Sequence, residues 1–277
     1  SFHSSNSLLL FGVSKFYIHN FLETNKNVQH DDIPLWLIQC LTLNMFLGIF
    51  NNDESFNKSI AKQLNSLIYL VKKCSLHLPL EQFITPPTIF DATSTQNDHN
   101  TTPLILKNNF DYFILAQSRI RTVHTILLIS VLFDTLIGAP IVLKSEDLQC
   151  GTPCPNEAYW KAPNYQQWFQ LLHGDNIVID SKFALIQLSN GGSFTELISS
   201  LVNHNYLDLV NRQVGLKVLL LLLMYIHQTI YERRMELRRQ EMNDGLRAMK
   251  WRMNDRVELE SLLKYWELLF IRNEGIL

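Results

Sequence analysis

The chain has 277 residues, 47% of them hydrophobic, and sets 24 Lys and Arg against 26 Asp and Glu for a formal net charge of -2. A chain this long and this apolar can bury a large core, and its near-neutral balance excludes a general electrostatic attraction to nucleic acid or anionic membrane. Only ten Gly and nine Pro punctuate it, which favours long helices over a turn-rich β architecture.

In chain order, Ser7 to Phe21 reads as an amphipathic helix rather than a leader, because no basic start precedes its short apolar run. Asp32 caps a second helix, with Pro34 in the first turn where a missing N–H costs nothing. That helix runs from Leu35 to Phe50, carries Leu37, Leu41 and Met45 at spacing four, and stops at Asn51-Asn52-Asp53. Ser55 opens a third, in which Ile60, Leu64, Leu67, Ile68 and Val71 repeat on one face while Lys58, Lys62 and Lys72 look outward. Helix, short turn, helix is an antiparallel hairpin. Residues 85–108, rich in Thr, Asn, Asp and Pro without a period, read as a flexible loop within the domain.

The helix expected at about 109–137 organises the rest. Asn109 or Asp111 can cap it, no Gly or Pro interrupts it, and Gly138 followed by Pro140 ends it. Gln117, Arg121 and His124 share one face, while Ile120, Val123, Leu127 and Val131 form another. Beyond Ile126 the apolar residues spread almost all the way round, broken only by Ser130, Asp134 and Thr135. A helix of that kind is enclosed by protein on every side. Further on, Gln166 to Leu172 reads as a short helix, Ser193-Phe194-Thr195-Glu196 as a capping box, Leu207 to Met242 as one long helix, and Asp255 to Arg272 as the last. No alternating strand pattern stands out. The longest apolar run, Val218 to Ile226, is too short to span a bilayer. The expected fold is all-α: a single domain, 1–277, of antiparallel helical hairpins packed around a buried central helix.

The central helix and the segment after it also carry a resemblance. Ser118-Arg119-Ile120-Arg121-Thr122-Val123-His124, then Phe133-Asp134-Thr135-Leu136, Gly138-Ala139-Pro140, Ser145-Glu146-Asp147-Leu148, the turn Pro153-Cys154-Pro155 and Trp160 stand in an order that resembles the regulatory (middle homology) domain of fungal zinc-finger transcription factors. The likeness is greatest to the branch attached to two-cysteine, two-histidine fingers. Ile33 to Phe50 is similar to a second segment of that family, and His124 stands where the family has an aromatic. The residues carrying the motif are Arg119, Arg121, Asp134, Pro140, Asp147 and Trp160. The resemblance implies a nuclear domain that acts on RNA polymerase II transcription through co-regulator proteins, the transcription machinery or an effector. It also implies DNA contact only through zinc fingers outside these residues, where zinc would reside. The chain opens as if already inside a domain and is expected to be part of a longer protein. A helical scaffold of the same fold, of the centromere-binding type and acting as a homodimer, is the alternative.

No catalytic constellation is expected, since neither clustered carboxylates nor an activated nucleophile occurs at the necessary spacing. Cys150 and Cys154 with the distant His173 offer too few ligands for structural zinc, which needs four, so a Pro-containing turn with two reduced thiols is the favoured reading and no metal is expected. The Gln117–Arg121–His124 stripe has two readings, a satisfied buried polar network and the wall of a ligand pocket. Arg119 and Arg121 are expected to pair with Asp134, Glu146 or Asp147. Tyr231 to Arg256 carries eight basic against five acidic residues, with Met235, Met242 and Met249 seven apart and Leu246 and Met253 between and beyond them. That stripe fits a partner helix or calmodulin-like groove or, the favoured reading, a helix laying its Met face on the domain.

Overall fold

The computed structural model describes residues 5–24, 33–49, 54–87, 101–138, 140–211, 214–241 and 245–273. The helices are α1 (Ser5–Thr24), α2 (Leu35–Ile49), α3 (Glu54–Lys73), α4 (Thr101–Ile137), α5 (Glu157–Lys161), α6 (Tyr165–Gly174), α7 (Lys182–Asn190), α8 (Phe194–Val202), α9 (Tyr206–Asn211), α10 (Leu216–Glu241) and α11 (Gly245–Asn273). Among the described residues there is no strand. None of their helices is long and apolar enough to cross a membrane.

α4 is the centre, as its apolar circumference demands. It packs against α2 and α3 on one side, α6 and α7 on another, and α10 on a third. Two buried clusters meet on it. The larger takes Ile120, Val123, Ile126, Leu127, Val131 and Phe133 together with the apolar faces of α2, α3, α8 and α10. The smaller takes Tyr112, Phe113 and Ala116 with Trp168 and Leu172 of α6 and Leu185 of α7. The apolar repeat of α3 is buried throughout, from Ile60 to Val71. A bond from Gln39 Nε2 to Thr122 Oγ1 at 3.3 Å ties α2 to the central helix. α10 and α11 form a hairpin whose stems are joined by Trp266 Nε1, donating to the Leu219 carbonyl at 2.7 Å.

Three boundaries differ from the sequence expectation. The central helix begins at Thr101, so 101–108 is helix rather than loop. Pro103 lies in its first turn, where no intrahelical N–H bond is lost. Asn109 is therefore not a cap but a buried residue two turns in. The stretch expected as one helix from Leu207 to Met242 is two, α9 and α10, parted around Gly215, where an added Cβ would come within 3.2 Å of Pro155 Cα. The last helix starts at Gly245 rather than near Asp255.

Candidate functional site

The segment from Leu148 to Asn156 has no regular structure, yet Leu148, Cys150, Gly151, Thr152 and Cys154 are all buried. Buried backbone outside helices needs partners for its N–H and C=O groups, and α4 supplies them. Gln117, fully enclosed, donates from Nε2 to the Ser189 carbonyl at 2.8 Å and to the Thr152 carbonyl at 3.4 Å, while its Oε1 accepts from Cys154 N–H at 2.8 Å. Two turns on, His124 Nε2 lies 2.8 Å from the Gly151 carbonyl, with the ring edge-on to Phe194. A carbonyl only accepts, so Nε2 carries the proton. Burial pulls the imidazole down to about 4, against the smaller opposing pull of the Gly151 bond, so the ring is neutral.

The loop crosses the end of α7 at a distance only glycine permits. Thr152 N–H bonds the Asn190 carbonyl at 2.8 Å. Gly151 (φ +96°) would place a Cβ 2.2 Å from Asn190 O, and Gly191 (φ +66°) one 2.3 Å from Thr152 O. Both adopt backbone that L side chains avoid. Asn190 in turn bonds both oxygens of Glu81 at 3.1 Å.

Arg121 leaves this face and reaches α5. It forms a forked pair with Glu157 at 3.1 and 3.3 Å and lies over the Trp160 ring, 4.8 Å from its centroid. Lys217 of α10 reaches the same carboxylate at 2.8 Å. Partial burial alone would raise the Glu157 carboxyl, but the bonds from Lys217 and Arg121 outweigh it and hold it below its ordinary value. Arg119 donates to the Ser75 carbonyl at 2.8 Å and lies over Phe83. The expected pairing of Arg119 and Arg121 with Asp134, Glu146 or Asp147 is thus corrected. Those acids sit near in sequence, but the fold brings α5 and the 75–83 turn against these arginines instead. Asp147 pairs with Lys72 at 3.2 Å and accepts from Lys144 N–H. Asp134 is buried one turn before Gly138, and Pro140 is exposed beyond the helix end.

The motif residues therefore divide into two groups. Arg121 and Trp160, with Gln117 and His124, clamp the 148–160 segment onto α4; Arg119, Asp134, Pro140 and Asp147 lie outside that clamp, Arg119 holding the 75–83 turn instead. Gln117, Arg121 and His124 share a face as expected, and each is engaged with backbone or with Glu157. None of them lines the cleft bounded by Tyr159, Asp175, Leu188 and Arg272. Cys150 and Cys154 are free thiols, and burial pushes Cys150 up to about 12, which keeps it a thiol. His173 is exposed on α6. No group of three or more His, Cys, Asp or Glu able to hold a metal occurs among the described residues.

The basic Tyr231 to Arg256 stretch is not one helix. Met235 is half-buried on α10, Met242 lies outside the described residues, and Leu246, Met249 and Met253 belong to α11. The seven-residue spacing therefore does not make a continuous stripe, because the chain reverses between Met235 and Met249. Sequence reasoning missed Gln228, which holds Ser145 N–H on Oε1 at 2.7 Å and donates to Glu146 at 2.8 Å. It also missed Glu157, Ser189 and Asn190. Gln228 lies just past the apolar run of α10, after His227, and no local signal marked it out.

Along its whole length the chain aligns with two curated proteins of Saccharomyces cerevisiae. It is 39% identical to a segment of "Probable transcription factor TDA9" and 35% identical to a segment of "Respiration factor 2". Both likenesses cover the entire chain. It spans 23% and 21% of those relatives, under a quarter of each. No protein-family model and no solved structure matches it.

Proposed function

We propose that this chain is the regulatory domain of a fungal zinc-finger transcription factor, of the branch with two-cysteine, two-histidine fingers. It controls RNA polymerase II transcription in the nucleus by contacting co-regulator proteins, the transcription machinery or an effector, not by catalysis. The observation that carries the reading is the full-length alignment with a segment of a yeast protein named a probable transcription factor. The clamping of the 148–160 segment by Arg121 and Trp160 supports the finer resemblance, because it gives those motif residues a common physical task. DNA contact and zinc are assigned to fingers outside these residues.

The test removes residues 1–277 from the full-length protein and measures DNA binding by gel shift beside transcript output from its own promoters. Retained binding with altered output is expected. Output unchanged at every bound promoter would overturn the reading. A dimeric scaffold is the second reading, favoured by the face of α1 on which Leu9, Val13, Phe16 and Tyr17 are exposed one turn apart. Multi-angle scattering decides it: a tight dimer lost in Phe16→Glu supports the scaffold, and a monomer removes it.

A further inference from the structure

A cleft of about 1080 Å³ opens between the α5–α7 side of the molecule and the α9–α11 side. Ile177, Leu188, Val210 and Val214, exposed or half-buried, supply the accessible apolar lining, over the buried Leu209, Leu219 and Leu269. Organic-ligand sites typically measure about 300–1,000 Å³ and combine such a lining with a few placed polar groups. The polar lining here includes Tyr159, Asp175 and Arg272.

Asp175 is the unusual member. It follows the last turn of α6, where the carbonyl end of the helix makes a carboxylate unfavourable and a cation favourable. Its Oδ2 accepts from Asn156 Nδ2 at 3.1 Å and from the Tyr159 hydroxyl. Burial, and then this bond, push the phenol up to about 12, so it remains a donor. Two neutral groups therefore fix the carboxylate in place, while no cation pairs with it among the described residues. An anion held still at the negative end of a helix, beside an apolar lining, is complementary to a positive charge on an apolar body. Arg272 elsewhere on the lining disfavours a second positive charge, which points away from polyamines.

We propose that this cleft binds a small amphipathic monocation, an amine or guanidinium on an apolar body, with the cation on Asp175 and the body against Ile177, Leu188 and Val210. The inference goes beyond the regulatory reading and does not depend on it. A free amine and a Lys or Arg side chain flanked by apolar residues offer the same chemistry, and the experiment separates them.

The 277-residue chain is titrated calorimetrically with octylammonium, octanol, octanoate and the peptide acetyl-Leu-Lys-Leu-amide. One saturable site is expected, with octylammonium or the lysine peptide binding about tenfold or more tighter than octanol or octanoate, the worth of one charge-assisted hydrogen bond. The tighter of the two cations identifies the source. Asp175→Asn should abolish the preference without changing the melting temperature, since Asp175 is exposed. Leu188→Trp, which occupies the cleft, should weaken both cations. Octanol or octanoate binding as tightly as octylammonium, a preference that survives Asp175→Asn, or no saturable heat from either cation would overturn the proposal.

Discussion

Replacing Gln117 by Leu tests whether the loop from Leu148 to Asn156 is held by α4 or merely lies against it. The change keeps most of the bulk but removes the amide that bonds Ser189 O and Cys154 N–H at 2.8 Å and reaches Thr152 O at 3.4 Å. No water can replace it without opening the crossing, since Gln117 is fully enclosed. Each well-made bond lost leaves a buried backbone group unpaired, at about 1–3 kcal/mol. Two such groups together cost roughly 2–6 kcal/mol, with the longer contact adding little. For a chain of this size, at about 2 °C per kcal/mol, that is a fall in melting temperature of roughly 4–12 °C. Chemical denaturation of Gln117→Leu beside Gln117→Glu and the half-buried neighbour Ser118→Ala gives the global number. Hydrogen exchange at the Cys154 amide gives the local one, and it should accelerate well beyond the global change. A stability loss within about 0.5 kcal/mol, the range of an ordinary surface substitution, would refute the clamp.

Leu127→Asp places an unpaired carboxylate where the wild-type side chain is completely buried, at a cost of several kcal/mol; an unchanged thermal midpoint would sink the buried central helix. Gly151→Ala should destabilise by several kcal/mol, because its Cβ meets Asn190 O at 2.2 Å with φ at +96°; native-like denaturant midpoints would contradict the crossing. His124 titrates near 6.5 when unfolded and about 4 when folded. The unfolded chain therefore binds more protons between these values, and stability should rise with pH from about 4 to 6.5, by about 3 kcal/mol in all. His124→Gln should flatten that slope, and a slope that persists would show another group responsible. Gel shifts with the isolated chain at physiological salt should show no sequence-specific band, since the Tyr231 to Arg256 surplus of three charges supports only weak, salt-sensitive binding with a log–log slope near -3 at most. A nanomolar sequence-dependent shift would move the DNA site into this chain.

What could be read beforehand was what depends on near neighbours in the chain. The repeat of Ile60, Leu64, Leu67, Ile68 and Val71 forced a one-faced helix, and all five are buried. The Ser193 cap stood at its helix start, with Oγ accepting from Glu196 N–H. The errors came where tertiary contact overrides local composition. Thr101 to Asn108 looks like loop, yet it extends α4 because a nucleated helix propagates at little cost. Arg121 looked toward Asp134 because that acid is on the same helix. Glu157 became its partner only once the irregular loop folded back, and nothing in local periodicity encodes that return. Ser193 was legible as a helix start, but nothing local marked Gly191 beside it as the point where two backbones nearly touch.

The length of α4 has a mechanical consequence. At about 1.5 Å per residue, its 37 residues make a rod of roughly 55 Å, with no Gly or Pro after Pro103 to hinge it. About three turns in it is seated among Phe113 and Trp168, next it grips the loop through Gln117, Arg121 and His124, and its far end lies in the larger cluster. Such a rod has no sharp hinge. A displacement at α6 is therefore carried toward α2, α3 and α10 along the shaft that all four pack against, rather than being taken up at a kink between the two clusters.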